Sequence, residues 1–164
     1  MNQKGFSLTE LITVMALLGI MLALATLDFS KMTQKSQIER HVRETLTDLN
    51  TARMDSVFRK TRHAVIFKSG GYIMKRYSSV DEAYFGDDTQ GIVLTKSFPY
   101  QFVRAGSGAS LVDTRILFDE RGATNDLETI KITPANSSAG VDCIAVHVAR
   151  TNIGKMEGTN CVQR

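Results

Sequence analysis

Residues 6–27 read FSLTELITVMALLGIMLALATL, an apolar stretch with one charge, Glu10, and no proline. At about 1.5 Å per residue, 22 residues of helix span about 33 Å, enough to cross a hydrocarbon layer of about 30 Å. The preceding Met-Asn-Gln-Lys-Gly carries Lys4 and no acid, and Lys31 and Lys35 lie on the far side. The positive-inside bias is therefore weak, and the very short leader favours a cytoplasmic N-terminus. Averages hide this feature. The chain has 164 residues, 43% hydrophobic and 23% charged, with a net charge of +3. Those values exclude a disordered chain and a dedicated DNA packager, and leave room for one domain. A mean hydropathy of −0.10 is the mean of two unlike parts.

Glu10 decides how the apolar stretch is read. A carboxylate near the start of a span costs up to about 3 kcal/mol on insertion scales and asks for a partner. One reading is an ordinary single-span anchor. Another is a secretory signal peptide cut after Ala25, since Ala23-Leu24-Ala25 is a small-x-small site. The stretch is longer than the usual apolar region of such a leader, which also rarely holds an acid.

Gly5-Phe6-Ser7-Leu8-Thr9-Glu10 resembles the cleavage motif of type IV prepilins: a short basic leader ending in Gly, then Phe-[Ser/Thr]-Leu-x-Glu and an apolar helix. The resemblance implies cleavage between Gly5 and Phe6 by a membrane peptidase, and N-methylation of Phe6. It also implies that Glu10 pairs with the Phe6 ammonium of a neighbouring subunit. An unpaired carboxylate is costly in a low-dielectric bundle, so the contact that neutralises it would select the axial register.

Beyond the apolar stretch no proline or glycine interrupts the chain through residue 60. Met32, Ile38, Val42, Leu46, Leu49, Ala52 and Val57 recur mostly at steps of three or four among charged residues, which predicts an amphipathic helix with one face for a sheet. Short β segments follow. Residues 64–67 and 72–77 flank Ser69-Gly70-Gly71, a hairpin signal. Further segments cover 92–94, 100–103, 115–118, 128–132 and 143–149, with loops between them and a turn at 151–154. The fold class is α+β, implied by the resemblance to be a pilin fold: a long N-terminal helix packed on an antiparallel β-rich head. The expected divisions are a cleaved leader (1–5), a transmembrane and filament-core helix (6–29), an amphipathic helix (30–62) and a β-rich periplasmic or extracellular head (63–164).

Leu46-x-x-Leu49-x-x-Ala52-Arg53 with Val57 and Arg59, and Ile116-Leu117-Phe118-Asp119-x-x-Gly122, resemble the GspH/FimT group of minor pilins and pseudopilins. Gly154-Lys155-Met156 stands roughly where many members have Gly-Arg and an apolar residue. Cys143 and Cys161 are the only cysteines. In an oxidising compartment a structural disulfide outweighs a metal or redox pair, for which His147 is the single nearby imidazole.

No nucleophile, base or phosphate-loop arrangement emerges, so neither enzymatic activity nor a cofactor is expected. Gly106-Ser107-Gly108 lacks the Lys-[Ser/Thr] and helix of a phosphate loop. Asp81, Glu82, Asp87 and Asp88 match no standard calcium loop, so no metal is expected. Arg59, Lys60, Arg62 and Lys155 are candidates for DNA phosphate contacts, as in DNA-uptake members of the group, but Glu157 opposes that role. The expected function is a structural minor pilin of a type IV pilus-type filament, priming assembly or sitting near the tip. A minor pseudopilin of type II secretion and a DNA-binding pilin of natural transformation are the alternatives. The expected partners are other pilin or pseudopilin subunits, the prepilin peptidase and the inner membrane, with DNA disfavoured. Localisation follows: a single-pass inner-membrane precursor with a periplasmic head, then a pilus or pseudopilus.

Overall fold

The computed structural model describes residue 5 and residues 7–78, 91–135 and 138–163, with the side chains of 24–28 excepted. Helix α1 (Leu8–Arg59) runs 52 residues without a break, about 78 Å at the standard rise. Ser7 stands before it in extended conformation, and Lys60 ends it in the left-handed region with φ 52°. The unbroken length follows from the absence of proline, and the end from the reversal into the first strand.

Among the described residues nine strands follow: β1 (His63–Lys68), β2 (Gly71–Arg76), β3 (Ile92–Ser97), β4 (Gln101–Arg104), β5 (Arg115–Phe118), β6 (Thr129–Thr133), β7 (Cys143–Val146), β8 (Thr151–Glu157) and β9 (Asn160–Gln163). They form two antiparallel sheets, ordered β3-β2-β1-β5 and β4-β6-β7-β8-β9. The expected α+β arrangement, a long helix on antiparallel sheets, is the observed one. The hairpin at Ser69-Gly70 also forms, with Lys68 opposite Gly71 and Gly70 at φ +71°.

The head half of α1 packs on both sheets, touching β1 and β5 of one and β7 and β8 of the other. Ile38, Val42, Thr45, Leu49, Ala52 and Ser56 are fully buried, at alternating steps of four and three that make one straight face. Three residues expected on that face are not sealed in it, Leu46 being only half-buried. Met32 is 72% exposed and Val57 36%: Met32 precedes the sheets, and Val57 is rotated off the face that Ser56 completes. Thr45 and Ser56 take core positions because small side chains let the helix approach; Ser56 Oγ is satisfied by the Arg53 carbonyl at 2.6 Å.

Val65 and Phe67 of β1, Tyr72 and Met74 of β2, Ile130 and Ile132 of β6, and Ile144 and Val146 of β7 join the helix face in one core. Phe67, Tyr72, Phe98 and Phe102 meet there, with ring centroids 5.1–6.1 Å apart. The opposite face of β1 carries Ala64 and Ile66, which pack with Tyr77 in a smaller cluster. Polar contacts fix the helix rotation. The Tyr72 hydroxyl donates to Asp48 at 2.6 Å, that of Tyr100 to Gln37 at 2.8 Å, and the Gly140 amide to Glu39 at 2.7 Å.

The C-terminal part differs from expectation. The segment expected as one strand over 143–149 ends at Val146, and the chain turns at His147–Arg150, whose N–H and C=O bond at 2.8 Å. Residues 151–154, expected as that turn, begin β8. Thr151 pairs with Val146 across the reversal and Gly154 with Cys143, so the ladder continues where the sequence offers only Thr-Asn-Ile-Gly.

Candidate assembly and processing site

At the N-terminus the backbone separates two functions. The Ser7 carbonyl accepts from the amides of Glu10 (3.1 Å) and Leu11 (3.2 Å), so regular helix starts just after the expected cleavage point. Gly5 is exposed, and no heavy atom outside its neighbours lies within 4 Å of a Cβ built on it. A peptidase must bind the scissile segment extended, and a peptide bond before the first helical turn is open to it. Phe6 lies outside the described residues. Ser7 makes no side-chain cap bond; its hydroxyl meets that of Thr9 at 2.9 Å.

Glu10 occupies the first turn of α1, where the amide dipoles favour a negative charge. It is exposed, and its side chain meets no cation among the described residues. The surrounding side chains are apolar and equally uncovered: Leu8 is 74% and Met21 67% exposed. Among the described residues no helix is long and apolar enough to cross a membrane. The expected span, 6–29, includes Phe6 and the side chains of 24–28, which lie outside them.

In the second sheet Cys143 of β7 and Cys161 of β9 are bonded, with Cα atoms 5.9 Å apart. β8 lies between these strands in the sheet order, so the bridge ties a strand to its second neighbour. Gly154 makes that approach feasible. A Cβ there would sit 2.1 Å from the Val162 carbonyl oxygen and 2.6 Å from its carbon. The backbone of β9 thus occupies the space a side chain on β8 would need. Asp142, 5% exposed, holds the same corner: its Oδ1 accepts from the Met156 amide at 2.7 Å.

The four candidate phosphate contacts divide. Arg59 and Lys60 are exposed at the end of α1. Arg62 is half-buried and lines a polar cleft of about 200 Å³ with Arg115, Asp119 and Asp126, so it shares that cleft with two carboxylates. Burial pushes the neighbouring His63 imidazole below its ordinary value, against the pull of the Thr61 carbonyl on Nδ1 at 3.0 Å. Lys155 is elsewhere. β8 starts beside Arg53, which donates to Thr151, and descends to Met156 at the level of Asp142, close to Gly140 and Glu39. Twenty helical residues separate Glu39 from Arg59, about 30 Å. The acidic residues Asp81, Glu82, Asp87 and Asp88 lie outside the described residues, and among the described ones no cluster of metal-ligating side chains occurs.

One residue of the expected family pattern acquires a role. Arg53 donates to the His147 carbonyl (3.3 Å) and Thr151 Oγ1 (3.1 Å), with its guanidinium 5.0 Å from the Phe118 ring centroid. It joins helix, β5 and the turn before β8. Across from it Gly122, at φ +79°, leaves no room for a Cβ, which would fall 2.8 Å from Val57 Cγ2.

With this geometry in place, a comparison with protein families matches residues 1–26 to the prokaryotic N-terminal methylation motif. The chain carries the methylation motif of the type IV pilin and pseudopilin class. No curated protein and no solved structure matches the chain. The motif implies an inner-membrane-anchored precursor, processing by a prepilin peptidase and pilin-type assembly partners, in a class that is typically non-enzymatic. The long helix on antiparallel sheets is the fold of that class.

Proposed function

We propose that this pilin-class chain is a structural minor pilin of a type IV pilus-type filament, priming assembly or sitting near its tip. The observation that carries the reading is the exposed Glu10, which meets no cation among the described residues, on an uncovered apolar helix that continues into a folded head. Such a helix is complete only among other apolar helices, first in the bilayer and then in a bundle. Glu10 is complete only against a cation, which the Phe6 ammonium supplies after cleavage at Gly5. The GspH/FimT-like segments support a minor subunit: Arg53 and Gly122, two of the quoted residues, both serve the joint between helix and head.

DNA uptake is the weaker alternative. Lys155 lies about 30 Å from Arg59 along the helix axis, and Arg62 sits in a cleft shared with Asp119 and Asp126, so the candidate cations do not form one patch. The deciding experiment expresses the chain with a prepilin peptidase and measures intact mass. A Phe6 start with one added methyl is expected; a Thr26 start would overturn the reading. In the same system Glu10→Ala is expected to give a processed, folded protein excluded from filaments, and normal incorporation would refute the register role.

A further inference from the structure

A second apolar stripe runs along the last turns of α1. Met54, Val57 and Phe58 stand at three- and four-residue steps, rotated off the face that enters the core, and are 55%, 36% and 76% exposed. With Gly122, Ala123 and Ala149 they line an open apolar groove of about 340 Å³, room for a large side chain. The floor is built rather than incidental: Gly122 packs on Val57 and Arg53 so closely that any side chain there would fill it.

The charge around the groove has one sign. Arg53 and Arg121 line it, and no carboxylate does. Arg53 is committed to His147, Thr151 and the Phe118 ring. Arg121 is not: only its backbone amide is engaged, by Asp119 at 2.9 Å. Arg59 and Lys60, beside Phe58, likewise meet no anion among the described residues. We propose that this groove docks an acidic amphipathic segment of a different protein chain, which seats an apolar side chain against Phe58 and Met54 and places carboxylates on Arg121 and Arg59.

Other occupants fit less well. The chain's own exposed apolar segment at Phe29 and Met32 is flanked by Asp28, Lys31 and Lys35, a net charge of the same sign as the groove. The membrane holding this molecule's apolar helix lies about 38 Å away along a rigid helix, from Phe29 to Met54. The proposal adds a partner to the filament reading and rests on it only for where that partner comes from.

The chain contains no tryptophan, so Phe58→Trp places a single reporter in the groove at an exposed position. The full chain carrying it, in phosphatidylcholine nanodiscs, is titrated with an amphipathic helical peptide of about 18 residues made of Leu, Ala and Glu. A second titration uses the same peptide with Lys for Glu. The expected result is a saturable blue shift with the acidic peptide, binding at least about tenfold tighter than the lysine peptide. Arg121→Glu should weaken it about tenfold, and Met54→Asp should do so too while leaving the far-UV spectrum unchanged. Absence of a saturable shift, equal binding of both peptides, or indifference to Arg121→Glu would overturn the proposal. A shift on concentrating the chain alone would overturn it in favour of a second copy, and one with phosphatidylglycerol vesicles in favour of lipid. No step involves filament assembly, so a negative result leaves the role of Glu10 untouched.

Discussion

The two halves of α1 obey the same local rules and live in different solvents. From Ile38 to Ser56 six positions are sealed against two sheets. From Leu8 to Met21 leucines, isoleucines and methionines of equal size are 52–74% exposed. Helix propensity does not distinguish the halves. The charge pattern does: Glu39, Arg40, Arg43, Glu44 and Asp48 surround the sealed face, whereas residues 8–27 are predominantly apolar and carry one charge, Glu10. An apolar surface of that extent is stable only against lipid or other helices. The head half is thus specified by this chain, and the first half by whatever it assembles with.

The strongest way to break the comparison is to put the same charge into each half. Val42→Asp buries a carboxylate in the apolar core at a position with 0% exposure and is expected to cost about 4 kcal/mol or more, enough to unfold the head. Leu18→Asp, at a position 54% exposed, should leave the head's unfolding midpoint unchanged and impair membrane insertion instead. Near-UV circular dichroism and membrane fractionation read the two outcomes. A head that unfolds with Leu18→Asp would mean that the halves are not independent.

Next in size is the crosslink in the second sheet. Cys143→Ser with Cys161→Ser opens a loop of separation 18, expected to cost about 3 kcal/mol in the chain-entropy model. The loss should fall on the head: denaturant midpoint drops, and β9 becomes susceptible to protease, with no change in the apolar half. A midpoint equal to the parent's would show that Asp142 and the β8 ladder hold the corner without the bridge.

How much of this was legible depended on the range of the interactions. The helix and its sealed face follow from spacing alone, apart from Met32, Leu46 and Val57, whose burial depends on where the sheets stop and how the helix is rotated against them. The Ser69-Gly70 hairpin is a local turn and was readable. β8 and β9 were not, because Thr-Asn-Ile-Gly-Lys-Met-Glu shows neither alternation nor bulk. Its pairing is set by neighbours far along the chain, Cys143 opposite Gly154 and Asp142 bonding Met156. At the candidate site, Gly5, Phe6 and Glu10 were legible as a motif, and the cysteine pair from compartment and spacing. The groove at Phe58 was missed. Its signal was present as a second stripe at Met54, Val57 and Phe58, but Gly122 and Ala149 complete it only in three dimensions.

Gly154 sharpens the contrast at a smaller scale. Gly154→Ala puts a methyl where the Val162 carbonyl already lies, so β9 must move; a cost of about 1–3 kcal/mol is expected, measured by denaturant unfolding. The same change at Gly19, where a Cβ meets nothing within 4 Å, should be neutral or favour the helix. Arg53→Met ranks just below. It keeps the stem on Phe118 and removes the bonds to His147 and Thr151, about 1–2 kcal/mol, and should loosen the turn before β8 in hydrogen exchange.

The smallest effect separates the halves by pH. His41 and His63 both belong to the head half, and burial holds each imidazole below its ordinary value of 6.5. The unfolded chain therefore takes up protons first as pH falls through 6.5, and since stability rises with pH wherever the unfolded state binds more protons, the head weakens on acidification. A second decline follows at lower pH. The bond from Lys96 holds the Glu44 carboxyl below its ordinary 4.5, and the stability this contributes is present above 4.5 and lost as pH falls through the lowered value. Denaturant midpoints of the full chain from pH 8 to 4 should thus fall in two steps. His63→Gln should flatten the upper step and leave the lower, while the helical signal of the lipid-embedded half stays constant. A midpoint independent of pH between 8 and 5, or an upper step unchanged in His63→Gln, would show that the head does not discriminate against the charged imidazole.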